Sequence, residues 1–306
     1  MSEFTALPIP NVPIGDQASA VRSAINVYSK LETYSQAEVD SFFFNRAPDA
    51  DVTAYIAAIE TALGTTIEAA LPLAVNPKHK IYNFVTAEKS AARWALHKRI
   101  YLPIWGQADA NAICLRSLTT GTFVGGVTPG AGFVQGDGTS GYFNVGASPS
   151  SLSLTGGSIH LAALRSVTGA AFEHFIGSRE ATASVLSSDN AQLFFAQGGP
   201  TGSYSLPKAN QIGIIVSDTK SGTINVRRRV TSGASSVGTG AITTGALPTV
   251  NYFCMARNSF GTPDQFSTAR YGAFSIGASL GDTTAIDAFT LNLKTLWETC
   301  TGLTLP

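Results

Sequence analysis

The segment GTFVGGVTPGAGFVQGDGTSGYFNVGAS, residues 121–148, decides the fold. Short apolar and β-branched runs alternate with glycine-rich turns, and the segment has no helical periodicity. Its centre reads as two strands joined by Gly136-Asp137-Gly138, because glycine accepts positive φ and aspartate hydrogen-bonds its own backbone. Similar strands follow roughly every ten residues, which is the spacing of a β-sandwich or barrel. The sequence therefore predicts a mainly β protein.

The composition of the 306-residue chain excludes several functions. Charged residues make up 13% of it, against about 25% in ordinary soluble domains, and a surface of small neutral residues suits a structural assembly. The formal net charge is zero, which gives no general field for nucleic acid. No signal peptide and no apolar run near the roughly 20 residues of a membrane helix is visible. We expect a protein made in a cytoplasm, without membrane insertion or a nucleic-acid partner.

The cysteines of the chain are odd in number and form no CxxC pair. This pattern predicts buried free thiols in a protein made in a reducing compartment, with a disulfide as the alternative. The three residues are Cys114, Cys254 and Cys300.

The first 15 residues hold Pro8, Pro10 and Pro13 among apolar side chains. Proline fixes φ and removes a backbone donor, so residues 1–15 cannot form a helix or an inner strand. Free disordered segments usually avoid apolar residues at this density. We therefore predict an extended anchoring strap that lies along a partner surface.

Residues 16–75 contain short amphipathic helices that need a partner. Ser35 and Glu38 have the spacing of a capping box, and Asp51 is expected to cap a later helix that ends at Gly64. Helices this short are not stable alone, so their apolar stripes either self-associate about an axis or pack within the chain. We predict oligomerisation and attachment through these stripes. The stripe residues are Val39, Phe42, Phe43, Val52, Ile56, Ile59 and Leu63.

A change of charge separates these helices from the β-body. Residues 1–75 are acidic, whereas residues 76–110 are basic, which suggests two different contact surfaces. We predict a basic linker or collar over residues 76–110, with one more helix near its middle. The β-sandwich is expected to cover residues 111–306. It ends in a helix that Asp282 caps and that Gly302 closes.

Three strings of residues carry a resemblance to bacteriophage structural proteins. Residues 33–40, TYSQAEVD, resemble a helix with the sequence TYSKAEVD that occurs near trimer-forming segments of tail fibres. Residues 134–144, VQGDGTSGYFN, are similar to a strand pair of concanavalin-like jelly rolls in phage appendages. Residues 270–277, RYGAFSIG, followed by the terminal helix, are similar to the way those domains end.

This resemblance implies a tail or head fibre protein located in the virion. Its C-terminal domain would be a concanavalin-like, lectin-like jelly roll preceded by the strap and the short helices. The partners implied are two further copies of the chain in a homotrimer, together with other virion proteins that the N-terminal segment would contact. The resemblance implies no catalytic residue and no cofactor.

The β-body lacks the residue patterns of an enzyme. Glycoside cleavage needs two carboxylates that flank the scissile bond, and most acidic residues here lie beside glycine, serine or threonine in turns. The sequence has no Gly-x-Ser-x-Gly elbow and no phosphate-binding loop. His160 and His174 lie on neighbouring predicted strands, where a zinc site between facing histidines is the alternative to two satisfied strand histidines; the scattered histidine spacings favour no metal site. We predict no enzyme; a glycan-degrading enzyme and a purely structural connector are the alternatives.

Sugar binding is the function that suits the β-body best. Lectin sites place an aromatic ring against the apolar face of a sugar, beside Asp or Asn acceptors for its hydroxyl groups. The candidates for contact with a host-surface glycan are Asp137, Tyr142, Asn144 and Tyr204. A core or turn role is the alternative for each of them, and Asp137 has calcium as a further alternative.

Two further features of the β-body are a run of three arginines and a strand in which polar and apolar residues alternate. Arg227, Arg228 and Arg229 alternate faces on a strand, which predicts a charged edge strand rather than a phosphate clamp. A site for an anionic glycan is the alternative for this run. The strand around His174 alternates Glu173 and Gly177 with apolar residues, so we expect one of its faces to be wet.

Overall fold

The computed structural model of the chain describes residues 49–67, 77–169, 172–199, 202–231 and 233–305. The chain from Asp49 to Pro306 forms one compact unit. Its described residues form a mainly antiparallel β-sandwich with helices on one side, which confirms the predicted fold class. The strap and several stripe residues lie outside the described ranges. They are Pro8, Pro10, Pro13, Val39, Phe42 and Phe43.

The sandwich consists of an eight-stranded sheet and a nine-stranded sheet. The helices are α1 (Ala50–Leu63), α2 (Pro77–Ser90), α3 (Ala108–Asn111) and α4 (Thr283–Thr301). The strands from β1 to β9 are His97–Tyr101, Thr122–Val124, Val127–Gly130, Phe133–Gly136, Tyr142–Asn144, Ser158–Val167, Glu173–Arg179, Ala183–Ser188 and Gln192–Gln197. The strands from β10 to β17 are Gly202–Ser205, Gly213–Lys220, Thr223–Val230, Gly233–Ala241, Phe253–Cys254, Arg257–Ser259, Thr262–Asp264 and Arg270–Gly277.

The order of strands places the last long strand, β17, inside the eight-stranded sheet. That sheet runs β13-β12-β11-β6-β17-β4-β3, and β1 also pairs with β17. The nine-stranded sheet runs β10-β9-β8-β7-β14-β5-β2, and the hairpin of β15 and β16 joins it at β7. β15 and β7 pair in parallel. Most strands therefore pair with partners that are distant in sequence.

The central strands β6, β11 and β17 of the eight-stranded sheet are buried on both faces. On β6, Leu161 faces the core between the two sheets, whereas Leu164 faces the core under the helices. On β11, Ile215 and Ile214 divide between the same two cores. A strand that is buried on both faces carries a nearly continuous apolar run. The molecule therefore has three layers: the nine-stranded sheet, the eight-stranded sheet and the helices.

The apolar stripe of α1 packs within its own chain, which corrects the predicted oligomerisation role of four residues. Asp49 caps this helix, rather than the expected Asp51, and accepts hydrogen bonds from the backbone N–H groups of Asp51 and Val52 at 3.0 and 3.3 Å. Gly64 ends the helix with φ of 68°, as predicted. The stripe contributes to the core under the helices, so these side chains are not free for a second copy. The residues are Val52, Ile56, Ile59 and Leu63.

Residues 76–110 are part of this fold and do not form the predicted linker or collar. They contain α2, α3 and β1, and β1 pairs with β17 of the eight-stranded sheet. Some of their basic side chains are paired within the chain: Lys89 binds Asp49 and Asp51, and Arg93 binds Glu88 through two hydrogen bonds of 2.8 Å. The excess of positive charge predicted a separate surface, but the segment carrying it is part of the sandwich and its helix layer.

The terminal helix α4 is as predicted. Asp282 accepts a hydrogen bond from the backbone N–H of Ala285 at 2.9 Å, and Gly302 ends the helix with φ of 68°. Trp297 donates its indole N–H to the carbonyl of Gly132 at 2.8 Å. The residues of the buried stripe are Ile286, Phe289, Leu293, Leu296 and Trp297. α4 therefore closes the helix layer over the eight-stranded sheet.

The arginine run lies on an inner strand, which corrects the predicted edge strand. β12 lies between β11 and β13. Arg227 forms an ion pair with Asp287 of α4, and Arg229 donates to Thr290 Oγ1 at 2.8 Å. These two arginine side chains therefore bind the terminal helix. The edge strand of this sheet is β13. Its sequence GASSVGTGA gave no strand signal because small residues have low β-propensity.

Two simpler expectations can be compared with the structure. All three cysteines are buried free thiols, as predicted. No helix in the described ranges has the length and apolar character needed to cross a membrane.

Candidate functional site

An open groove lies on the outer face of the nine-stranded sheet, across β7, β8 and β9. Side chains alternate between the faces of a strand. Leu186 and Leu193 face the core between the sheets, so Ser187 and Phe194 face outward. The groove has a volume of about 400 Å³, which lies in the range typical of small-ligand sites. Residues that line it include Phe172, His174, Arg179, Ser187, Phe194 and Arg257.

Strand register builds the floor of this groove in rows. His174 pairs with Ser187, which in turn pairs with Phe194, so the three residues form one row across the sheet. The register shifts between His174 and Ile176, and this bulge places His174 and Gly177 on the same face. Arg179 follows Gly177 by two residues and lies on that face as well. The groove therefore runs along β7 from His174 to Arg179.

Two phenylalanine rings form the wall at the His174 end. The ring centres of Phe172 and Phe194 are 5.6 Å apart, and that of Phe172 is 5.8 Å from the His174 ring. Phe172 is 40% exposed. Rings at this spacing and tilt stabilise each other. The groove therefore offers an ordered aromatic surface at one end.

His174 has a hydrogen-bonding atom without a partner. The side chain is 2% exposed, and its Nε2 donates to Gln265 Oε1. Nδ1 is buried and has no hydrogen-bond partner among the described residues. Burial, followed by the charge of Arg257, lowers the pKa of His174 to about 3. The ring is therefore neutral at neutral pH, and Nδ1 is an acceptor for a hydroxyl or N–H group of a ligand.

Two arginines supply positive charge to the other part of the groove. Arg257 lies over Gly177, because a Cβ added to that glycine would be 3.1 Å from the Cα of Arg257. Asp264 holds the Arg257 guanidinium through hydrogen bonds of 2.9 and 2.6 Å. Arg179 is exposed and forms no ion pair with a described residue. The described lining contains no Asp or Glu; because Asp264 offsets the charge of Arg257, the net positive charge of this part of the groove comes from Arg179.

The β15–β16 hairpin fixes one side of the groove. The backbone of Gln265 accepts a hydrogen bond from the His174 N–H at 3.3 Å, and the N–H of Phe260 donates to the Arg179 carbonyl at 2.9 Å. Met255, Phe260 and Gln265 all have positive φ, between 52° and 65°. Strained backbone of this kind persists where the surrounding contacts enforce it, and it is concentrated at functional sites. The groove is therefore formed before any ligand arrives.

Asp137 organises a turn, which was the alternative for this residue. Its Oδ1 accepts the backbone N–H groups of Thr139, Ser140 and Gly141 at 2.8 to 2.9 Å. These hydrogen bonds, led by the one from the Ser140 backbone, hold the pKa of Asp137 well below its usual range. With its lone pairs used in this way, Asp137 is a structural residue of the turn between β4 and β5.

The other predicted sugar contacts are not brought together either. The Tyr142 ring packs against Phe253, with ring centres 4.4 Å apart, and Asn144 accepts the N–H of Gly146 at 2.9 Å. Both residues lie on β5, whereas Tyr204 lies on β10 at the opposite end of the nine-stranded sheet. The Tyr204 ring packs on Phe195 at 5.0 Å. The four candidates therefore form no common site.

A buried chain of polar groups has the composition of a catalytic triad but not its access. His97 Nε2 is 3.3 Å from Glu88 Oε2, and His97 Nδ1 is 3.1 Å from Ser275 Oγ. His160 Nε2 joins the same serine at 2.9 Å. All four side chains are at most 1% exposed, and none of them lines the groove. This chain ties the helix layer to the eight-stranded sheet.

The alternative in which His160 and His174 face each other on neighbouring strands is wrong, because His160 lies in the eight-stranded sheet and His174 in the nine-stranded sheet. The described ranges contain no cluster of three potential metal ligands. Glu173 does not mark the wet face of β7, because it is fully buried, where it forms an ion pair with Arg165 and accepts a hydrogen bond from Ser267. The face that opens to the groove carries His174 and Arg179 instead.

Sequence reasoning missed the groove because long-range register creates it. Phe194 belongs to the run Leu193-Phe194-Phe195, which reads as core. Arg257 reaches β7 only through the parallel pairing of β15. The one local signal was strict alternation along β9, where a polar or aromatic residue between two core residues must face outward.

No family model matches this chain, and no curated protein matches it. Among solved structures it is similar to domain 4 of AbnA, an extracellular GH43 arabinanase from Geobacillus stearothermophilus, in complex with arabinotriose. That match has 14% identity and a TM-score of 0.43, and covers 65% of this chain and 98% of the other.

Two further similarities involve sialidases. Trypanosoma rangeli sialidase with 2,3-difluorosialic acid has 10% identity and a TM-score of 0.45, over 72% of this chain and 40% of the enzyme. The CBM40 of the Ruminococcus gnavus IT-sialidase, bound to α2,3-sialyllactose, has 11% identity and a TM-score of 0.33, over 42% of this chain and 80% of that one. All three TM-scores lie below 0.5.

Proposed function

We propose that this protein is a virion appendage protein that binds a host-surface glycan in the groove on β7, β8 and β9, without cleaving it. The observation that carries the proposal is the exposed ring of Phe172 beside the buried, unpartnered Nδ1 of His174. A sugar has an apolar C–H face and hydroxyl donors at its edge. The groove presents a matching surface for each.

The unpartnered acceptor supports a ligand with hydroxyl groups. A buried acceptor without a hydrogen bond costs about 1–3 kcal/mol. A ligand hydroxyl that donates to His174 Nδ1 removes this cost, whereas an apolar ligand does not. The neighbouring rings of Phe172 and Phe194 then lie beside the sugar, where an aromatic face contributes through contact area and stacking. Both features favour a sugar over a purely apolar ligand.

The lining favours binding over hydrolysis. Glycosidases use a pair of carboxylates on either side of the scissile bond, and the described lining has none. We therefore expect the protein to leave the chain length of a bound polysaccharide unchanged. Incubation of the protein with each polysaccharide it binds, followed by size analysis, tests this. Release of shorter chains would favour the glycan-degrading alternative.

The virion location is supported by the resemblance of residues 33–40 and 134–144 to phage appendage proteins. In this proposal the N-terminal segment attaches the chain to other virion proteins, and a homotrimer presents three grooves. Labelling of intact particles with an antibody against the sandwich tests the location. Particles without label would contradict it, and labelled particles combined with no glycan binding would favour the structural connector.

The binding experiment uses the full chain and a printed panel of neutral and acidic glycans. We expect Phe172→Ala to weaken binding to every glycan on the panel that the unaltered protein binds, by roughly fivefold or more, which corresponds to about 1 kcal/mol of stacking. Phe133→Ala is the matched control, since it removes the same ring from β4 of the other sheet. Equal affinities for Phe172→Ala and the control, or no binding to any glycan, would refute the proposal.

A further inference from the structure

We infer that the groove selects acidic glycans, with the carboxylate or sulfate group of the sugar on Arg179 and Arg257. This inference depends on the proposed glycan binding and adds the chemical class of the ligand. The supporting observation is a division of the groove along β7. The His174 end is aromatic and neutral, whereas the Arg179 end carries the two guanidinium groups.

Arg179 is the residue that lacks a partner. It is exposed at the end of β7 and forms no ion pair with a described residue. A guanidinium group is always charged and binds carboxylate or sulfate oxygens through two parallel hydrogen bonds. Because Arg179 makes no such pair within the described chain, its donors are available to a ligand.

Arg257 also has donors for an acidic ligand, although it already pairs with Asp264. Asp264 holds its Nε and one terminal nitrogen, at 2.9 and 2.6 Å, and the guanidinium is largely buried. This contact fixes the position of the group and leaves donors on the other terminal nitrogen. Gly177 permits the arrangement, because a side chain there would meet Arg257 at 3.1 to 3.2 Å.

The distances suit a short oligosaccharide. Gly177, under Arg257, and Arg179 are two residues apart on one face, which corresponds to about 7 Å along the strand. His174 lies on the same face beyond Gly177. A sugar ring beside Phe172 can therefore donate a hydroxyl to His174 while an acidic group of the same oligosaccharide reaches the guanidinium groups. No described acidic residue lines the groove to repel that group.

The test compares matched ligands on the full chain. Acidic glycans that bind on the panel, with uronic-acid, sialic-acid and sulfated members, are measured again after reduction of the carboxyl group or removal of the sulfate. We expect each neutralised ligand to bind about ten- to a hundredfold more weakly, as for loss of a hydrogen bond to a charged group. We also expect affinity for the parent glycans to fall at high salt. The two chemical arms distinguish carboxylate from sulfate ligands.

A matched pair of variants assigns the effect to the groove. Arg179→Gln should lower affinity for acidic glycans by about ten- to a hundredfold and leave affinity for their neutralised forms unchanged. Lys80→Gln, which removes one positive charge from α2 in the helix layer, should bind as the unaltered protein does. Thermal unfolding of both variants checks that they fold alike.

The outcomes separate this inference from the proposed function. Equal affinity for acidic and neutralised ligands would overturn acid selectivity and leave glycan binding intact. Normal binding of acidic glycans by Arg179→Gln would overturn acid selectivity in the same way. Binding of single-stranded DNA as tight as binding of any acidic glycan would also overturn it, since the groove would then be a general polyanion site. The absence of binding to any glycan on the panel would overturn both proposals.

Discussion

Acidification to about pH 5 should destabilise the sandwich, because two buried histidines are neutral in the folded protein. Burial, with the charge of nearby His97, lowers the pKa of His160 to about 3. Burial and the charge of Arg257 lower the pKa of His174 to about 3 as well. The ordinary histidine pKa is about 6.5, so between these values the unfolded chain binds more protons than the folded chain. The contribution of the two neutral histidines to the free energy of unfolding therefore has its full value above about pH 6.5 and decreases at lower pH.

The size of the effect follows from the pKa values. About pH 5 lies roughly 1.5 units below the unfolded pKa, and each unit corresponds to about 1.4 kcal/mol, so each histidine loses about 2 kcal/mol. Asp218 acts in the opposite direction, since burial raises its pKa to about 6 and its protonation returns about 1 kcal/mol. The net loss between about pH 7.5 and pH 5 is therefore about 3 kcal/mol. His97, whose pKa burial also lowers, adds to it.

Urea unfolding at both pH values measures this loss through the fluorescence of the three buried tryptophans. His160→Asn keeps a donor for the Ala278 carbonyl, which His160 Nδ1 contacts at 2.6 Å, but removes the titrating group. The free energy of unfolding of His160→Asn should therefore depend less steeply on pH, with a slope smaller by about 1.4 kcal/mol per pH unit. His79→Asn on α2, where the histidine is half-buried, is the control. A free energy of unfolding that is independent of pH, or a slope unchanged in His160→Asn, would refute the reasoning.

Further predictions concern the core and the assembly. Leu164→Ala should lower the free energy of unfolding by about 2–5 kcal/mol, because it leaves a cavity under the helices; Leu291→Ala, at a side chain 48% exposed on α4, should change it by about 0.5 kcal/mol or less. Gly272→Ala should lower the urea midpoint, with a cost of about 1–3 kcal/mol, since the new Cβ would lie 2.2 Å from Trp297 Nε1. Sedimentation of the full chain should give the mass of a trimer, and a monomer at micromolar concentration would contradict that proposal.

The strands of the sandwich are predictable where burial leaves a local pattern. The sequence pattern predicts strands over residues 223–230 and 270–276; the first has the bounds of β12, and the second ends one residue before β17 does. β-Branched and aromatic residues mark these strands because their side chains pack on both sides of a sheet. The sequence does not predict β13, because its glycine, alanine and serine residues do not form a pattern typical of a strand. Its position follows from pairing with β12, which is a tertiary interaction.

The helices illustrate a different limit. The stripe of α1 indicates that Val52, Ile59 and their neighbours are buried, and they are. Amphipathicity does not name the partner, however, and the stripe covers the eight-stranded sheet of its own chain rather than a second copy. α2 begins at Pro77, a position that the sequence pattern assigns to a linker. Proline is tolerated in the first turn of a helix, where its missing N–H has no intrahelical acceptor.

The functional residues are the least predictable part of the molecule. Asp137 and Asn144 are of residue types that suit sugar hydroxyls, but both use their oxygens on nearby backbone N–H groups. The groove instead combines His174 on β7, Phe194 on β9 and Arg257 on β15, which register alone brings together. A residue type identifies what a side chain can bind, whereas long-range register determines which side chains meet.

The layering of the sandwich explains why the groove lies on the nine-stranded sheet. The central strands of the eight-stranded sheet pack against helices on one face and against the partner sheet on the other. The groove lies on the face of the nine-stranded sheet that points away from the core between the sheets. The bulge after His174 and the glycine at position 177 shape that face. The bulge places His174, the neutral acceptor, on the groove face, and Gly177 leaves room for Arg257. The irregularities of β7 therefore produce the binding chemistry of the groove.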